Sequence, residues 1–95
     1  MNRKVTIHQH LSEAATELLE FIKEAEAEFV DQGYWVPAAK IKNDLELNFV
    51  AVPKSGKQYG ERGWLFATLA RMLEDKSLVE YKKEGSRAYY RASRT

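Results

Sequence analysis

Residues 73–91 read Leu73-Glu74-Asp75-Lys76-Ser77-Leu78-Val79-Glu80-Tyr81-Lys82-Lys83-Glu84-Gly85-Ser86-Arg87-Ala88-Tyr89-Tyr90-Arg91, and most of the architecture follows from them. A helical ending runs to Ser77. Residues 78–82 and 87–91 then form two strand-like runs around a turn at Lys83-Glu84-Gly85-Ser86, which predicts a hairpin over about 78–91. Tyrosines stand on both runs and can pair across the hairpin. A lone two-stranded hairpin is marginal in water, so the rest of the chain must supply a body for it to pack on.

Working back from the hairpin, residues of about 61–76 have helical spacing, with Leu65, Phe66, Leu69, Met72 and Leu73 on one apolar face. The other side shows Gly63, Trp64, Ala67, Thr68 and Arg71, and Arg62 falls near the edge of the apolar face. Trp64 is expected to close the core rather than to stack on a ligand. Residues 46–59 stay open: 49–52 suit a buried strand-like run or an extension of the preceding helix, and 53–57 are a loop by composition. A shorter helix, from Pro37 to about Leu45, turns Ala38, Ile41 and Leu45 to one side and Lys40 and Lys42 elsewhere. Tyr34-Trp35-Val36 before it is a short extended piece.

The first element is a long helix of about 7–31. Ile7, Leu11, Ala14, Ala15, Leu18, Ile22, Ala25 and Phe29 recur at its period, and Thr6 with Gln9 has the form of a capping box. Gly33 is a natural stop. Glu13, Glu17, Glu20, Glu24 and Glu28 make the opposite face acidic and solvated. Such a helix is roughly 36 Å long at ~1.5 Å per residue, more than a small three-helix core needs to cover. Ile7, Leu11 and Ala14 near its start are therefore expected to meet a second copy as a homodimer. The chain reads as one domain, 1–95, mainly α with a small β-hairpin, in the α+β class. Its expected core is Leu18, Ile22, Ile41, Leu45, Leu65, Leu69 and Leu73.

The net charge of +1 hides an asymmetry. Residues 1–31 carry three basic and seven acidic side chains, a balance of −4; the remaining twelve basic and seven acidic side chains give residues 32–95 a balance of +5. A basic back half suggests a polyanionic partner. At 44% hydrophobic and 31% charged, the composition is that of an ordinary soluble protein, and neither a signal peptide nor a membrane span is expected. With no cysteine, disulfides, thiolate zinc sites and cysteine nucleophiles are excluded, which fits a cytoplasmic location. Residues 53–58 resemble a phosphate loop only superficially, because Ala51 and Gln58 occupy its glycine and hydroxyl positions. His8 and His10 lack a third metal ligand. No nucleophile stands with a base, so no enzymatic activity, metal or cofactor is expected.

The run 73–81 followed by 85–91 resembles the recognition-helix-to-wing junction of winged helix-turn-helix transcription regulators. That resemblance implies a three-helix bundle with a two- or three-stranded wing, the wing at about 78–91. Ser77 stands where that family usually has glycine, so a left-handed residue there would carry strain. More weakly, Trp35-Val36-Pro37, Ile41, Leu45, Phe49 and Tyr59-Gly60 are similar to the OST-HTH (LOTUS) domain, which is associated with RNA or protein partners.

The resemblance implies double-stranded DNA as partner, with the third helix in the major groove and the hairpin on the backbone. Thr68 and Arg71 would reach base edges, and Arg62 the backbone. Lys82, Lys83, Arg87 and Arg91 on the wing, and Lys54 and Lys57 in the loop, would contact phosphate. Lys40 and Lys42 would add to them. The alternatives are an RNA-binding module and a winged helix that contacts only protein.

Overall fold

The computed structural model describes residues 2–47 and 64–93. The readings placed on 48–63, among them the 49–52 run and Lys54, Lys57, Arg62 and Gly63, lie outside the described residues. The chain folds as α1 (Arg3–Ala25), a 3-10 segment (Glu26–Gln32), β1 (Val36–Pro37), α2 (Ala38–Asp44), α3 (Trp64–Asp75), β2 (Val79–Glu84) and β3 (Arg87–Ala92). It is mainly helical, with one small antiparallel sheet in the order β1-β3-β2.

Helix α1 starts earlier than its capping-box pattern suggested. The Asn2 side chain caps it, accepting from the backbone N–H of Lys4 at 2.9 Å and of Val5 at 3.4 Å. Thr6 instead donates its hydroxyl to the Asn2 carbonyl at 3.3 Å. The helix buries Ala15, Leu18, Leu19, Ile22 and Ala25, one stripe at spacings of three and four. Its first turns project beyond the core, leaving Val5 60% and Ile7 58% exposed. The expected single helix to 31 breaks at Glu26. There the Glu26 carboxylate accepts the Ala92 N–H at 2.7 Å, and Phe29 leaves helical geometry at φ −124°.

All three helical segments that precede a turn end in the same way. The last two N–H groups fold back onto carbonyls of the final turn around a left-handed residue. After the 3-10 segment that residue is Gly33 (φ 73°), which tolerates it, and Tyr34 (φ 71°) follows it in the same region. After α2 it is Glu46 (φ 54°), with Leu47 N–H donating to the Lys42 carbonyl at 2.8 Å. After α3 it is Ser77 (φ 60°), with Ser77 N–H donating to Glu74 and Leu78 N–H to Leu73, both at 2.9 Å. The strain expected at Ser77 is therefore present, at a cost of about 1 kcal/mol.

The hairpin turn is tighter than expected. Glu84 pairs with Arg87, leaving a two-residue Gly85-Ser86 turn in which only Gly85 has positive φ (61°), the II′ pattern. A third strand joins it: Val36 pairs with Tyr90 and Pro37 with Tyr89. Pro37 has no N–H to give, which an edge strand tolerates. Period-2 alternation then sorts the sheet. Val36, Val79 and Tyr90 face the helices and are buried; Lys82, Glu84, Arg87, Tyr89 and Arg91 face the other way.

The core joins that sheet face to Leu18, Ile22, Ile41, Phe66, Leu69 and Leu73. Leu45 and Leu65, expected in the core, are only partly buried at its margin. Tyr90 is the hub. Its ring meets Phe66 edge-on at 5.5 Å and Tyr81 at 5.1 Å. Burial, with Glu74 and Tyr81 adding to it, pushes the Tyr90 phenol up to about 12.

Candidate nucleic-acid interface

Helix α3 buries Phe66, Leu69, Ala70 and Leu73. The same 3.6-residue period turns Trp64, Ala67, Thr68, Arg71 and Asp75 outward, and all five are exposed. Trp64 thus corrects its expected place: it is 42% exposed on the outward strip and does not close the core. Its ring is anchored too far round the helix from Phe66 and Leu69 to reach inward. Thr68 donates its hydroxyl to the Trp64 carbonyl at 2.9 Å, so its oxygen is left as an acceptor. Arg71 pairs with Asp75 at 3.0 Å, with side chains 75% and 65% exposed. A pair so open to water contributes about 0.3–0.5 kcal/mol, little enough to exchange for a phosphate or a base edge.

The cations of the hairpin divide into two groups. Near its root, Arg91 is bound up in the fold. Its Nε and Nη2 donate to Glu80 Oε1 at 2.9 and 2.8 Å, and Nη1 donates to the Gly33 carbonyl at 2.8 Å. Its guanidinium also lies 4.2 Å from the centre of the Trp35 ring. Lys82 is partly engaged, 4.9 Å from the Trp35 ring centre and 5.4 Å from that of Tyr89, with Glu84 at 3.3 Å. Toward the tip, Lys83 and Arg87 are exposed, and among the described residues neither forms an ion pair.

On α2 the two lysines part in the same manner. Lys40 holds Asp44 at 2.8 Å and Glu28 at 3.6 Å. Its hydrogen bond to the Asp44 carboxylate, with Glu28 beyond it, keeps its ammonium above the ordinary lysine value. Lys42 has no carboxylate partner among the described residues; its ammonium lies 6.0 Å from the centre of the Phe66 ring.

Of the residues expected at the interface, the described ones therefore form two exposed sets: Thr68 and Arg71 on α3, and Lys83 and Arg87 at the hairpin tip. Lys82 stands between the sets. Arg91 is held by its intramolecular partners, and Arg62, Lys54 and Lys57 lie outside the described residues. Sequence reasoning missed the Trp35 stack and the Glu80–Arg91 pair. The cross-strand register would have revealed the pair once the turn was placed at Gly85-Ser86.

Among the described residues no group of three or more His, Asp or Glu side chains is placed to hold a metal ion. No helix among them is long and apolar enough to cross a membrane. No protein-family model, no curated protein and no solved structure matches the chain.

Proposed function

We propose that this chain is a winged helix-turn-helix domain that binds double-stranded DNA as a transcription regulator or accessory factor, with α3 in the major groove and the hairpin on the backbone. Support for the winged-helix assignment comes from the order of elements and from the β1-β3-β2 sheet. One observation carries the function. The outward strip of α3, with Thr68 and Arg71, is followed after a short turn by a hairpin whose tip keeps Lys83 and Arg87 without ion-pair partners among the described residues. A helix needs short polar and basic side chains to read base edges, and a hairpin needs uncommitted cations to grip phosphate. The acidic face of α1 (Glu13, Glu17, Glu20 and Glu24) repels phosphate and turns away from the duplex.

The test is a titration of duplex DNA and structured RNA at two salt concentrations. Salt-dependent duplex binding that Arg71→Ala weakens is the expected result. A preference for structured RNA moves the domain to the RNA-binding class, and binding to neither leaves a protein partner.

The exposed Val5 and Ile7 on the projecting turns of α1 favour pairing with a second copy, which would also suit paired half-sites on DNA. Light scattering at tens of micromolar is expected to give a dimer, and a strict monomer refutes the pairing.

A further inference from the structure

Where β1 gives way to α2, the hairpin tip and the first turns of α2 enclose a notch of about 370 Å³. Its walls carry Lys42 from α2 and Ser86, Arg87 and Tyr89 from the hairpin, with Ala38 and Ala39 beside Lys42. The alanines end at Cβ, so no side chain of theirs fills the space. Basic residues from segments 45 residues apart, Lys42 and Arg87, both line it, and among the described residues no carboxylate does.

The neighbouring acids are engaged elsewhere. Glu84 takes Lys82, Asp44 and Glu28 take Lys40, and Glu80 takes Arg91. The cleft on the far side of Tyr89 makes the contrast. It is lined by Trp35 and Lys82 and contains its own counter-ion in Glu84. Glu84 stands opposite Arg87 across the hairpin but forms its ion pair with Lys82, so Lys42 and Arg87 have no ion-pair partner among the described residues, and like charges in a concave site repel one another until an anion arrives. The donors on offer are an ammonium, a guanidinium and two hydroxyls, which suit a tetrahedral group with several acceptor oxygens.

We infer that this notch holds one backbone phosphate of the bound nucleic acid, shared between Lys42 and Arg87. The inference rests on the DNA-binding function proposed above and adds a fixed contact that ties α2 to the hairpin tip across a single phosphodiester.

The experiment is a fluorescence-anisotropy titration of a labelled duplex of about 20 base pairs, over salt from about 50 to 200 mM. The proteins are the parent, Lys42→Gln, Arg87→Gln, the double variant and Arg71→Ala, each checked for folding by its melting temperature. The salt slope counts phosphates neutralised rather than cations present. Each single substitution is expected to weaken binding roughly tenfold at low salt. The double variant should lose far less than the product of the two, and its slope should flatten by about one unit.

Independent losses that multiply, with a slope change near two, overturn the shared phosphate. Duplex binding weakened by Arg71→Ala but untouched by both notch substitutions overturns this inference and leaves the proposed function standing. A parent protein that binds no duplex overturns both. A site for free phosphate would show as tight binding of inorganic phosphate with duplex affinity indifferent to either substitution, and that result also overturns it.

Discussion

Arg87 and Arg91 stand four residues apart on the same strand and the same face of the sheet, and their surroundings differ completely. Arg91 lies where three elements meet, so Glu80 on the adjacent strand, the Gly33 carbonyl and the Trp35 ring all hold its guanidinium. Arg87 lies past the end of β1, where the sheet has thinned to two strands and a turn, and among the described residues it forms no ion pair, Glu84 opposite it being paired with Lys82. The root of the hairpin uses charge to hold the fold; the tip leaves its charge exposed to solvent. A count of basic residues cannot separate these roles, whereas cross-strand register can.

Several changes would break or sharpen that contrast. The largest effect is expected from ionising Tyr90 at the root. Its pKa is raised in the folded state from 10.0 to about 12, so the folded chain holds the phenolic proton more tightly than the unfolded chain. The stability this contributes is complete below pH 10 and is lost as pH rises toward 12. Urea unfolding at about pH 9 and about pH 11 should show the fall, and Tyr90→Phe should remove that part of it.

Arg91→Ala should cost about 1–2 kcal/mol, since it removes the charged donor from Glu80 and from the Gly33 carbonyl, and the guanidinium from the Trp35 ring, at a half-buried site. The melting temperature should drop by roughly 5–15 °C. No change would mean that the root cluster contributes nothing.

Ser77→Gly, at the α3–β2 junction, should stabilise by about 0.5–1 kcal/mol by relieving the left-handed strain. A destabilised variant would show that the serine is held there by something other than backbone geometry.

Smallest of all, Arg87→Ala should leave the melting temperature close to that of the parent, within about ±0.5 kcal/mol. A large loss would make Arg87 structural like Arg91.

The helices and hairpin were legible because their apolar residues repeat with unmistakable periods. The edge strand was not, because Val36-Pro37 is too short to show alternation. The break in the first helix was hidden for a different reason. Residues 26–29 read Glu-Ala-Glu-Phe, good helix formers, and it is the distant Ala92 N–H that captures Glu26. The expectation that Trp64 closes the core runs against its own position, because 64, 68, 71 and 75 form one outward strip by helical arithmetic alone.

For the candidate site, Thr68, Arg71, Lys83 and Arg87 were readable as exposed cationic or polar positions. The capture of Arg91 depended on Glu80 and Gly33, which the fold brings together from 11 and 58 residues away.

The most direct test of the central claim is a backbone amide chemical-shift map of the labelled protein on addition of duplex DNA. Changes are expected at Ala67, Thr68 and Arg71 on α3 and at Lys83, Gly85, Ser86 and Arg87 at the hairpin tip. Amides near Glu13, Glu17, Glu20 and Glu24 on α1 should stay in place. Changes confined to α1, or no changes at all in a folded protein at low salt, would contradict it.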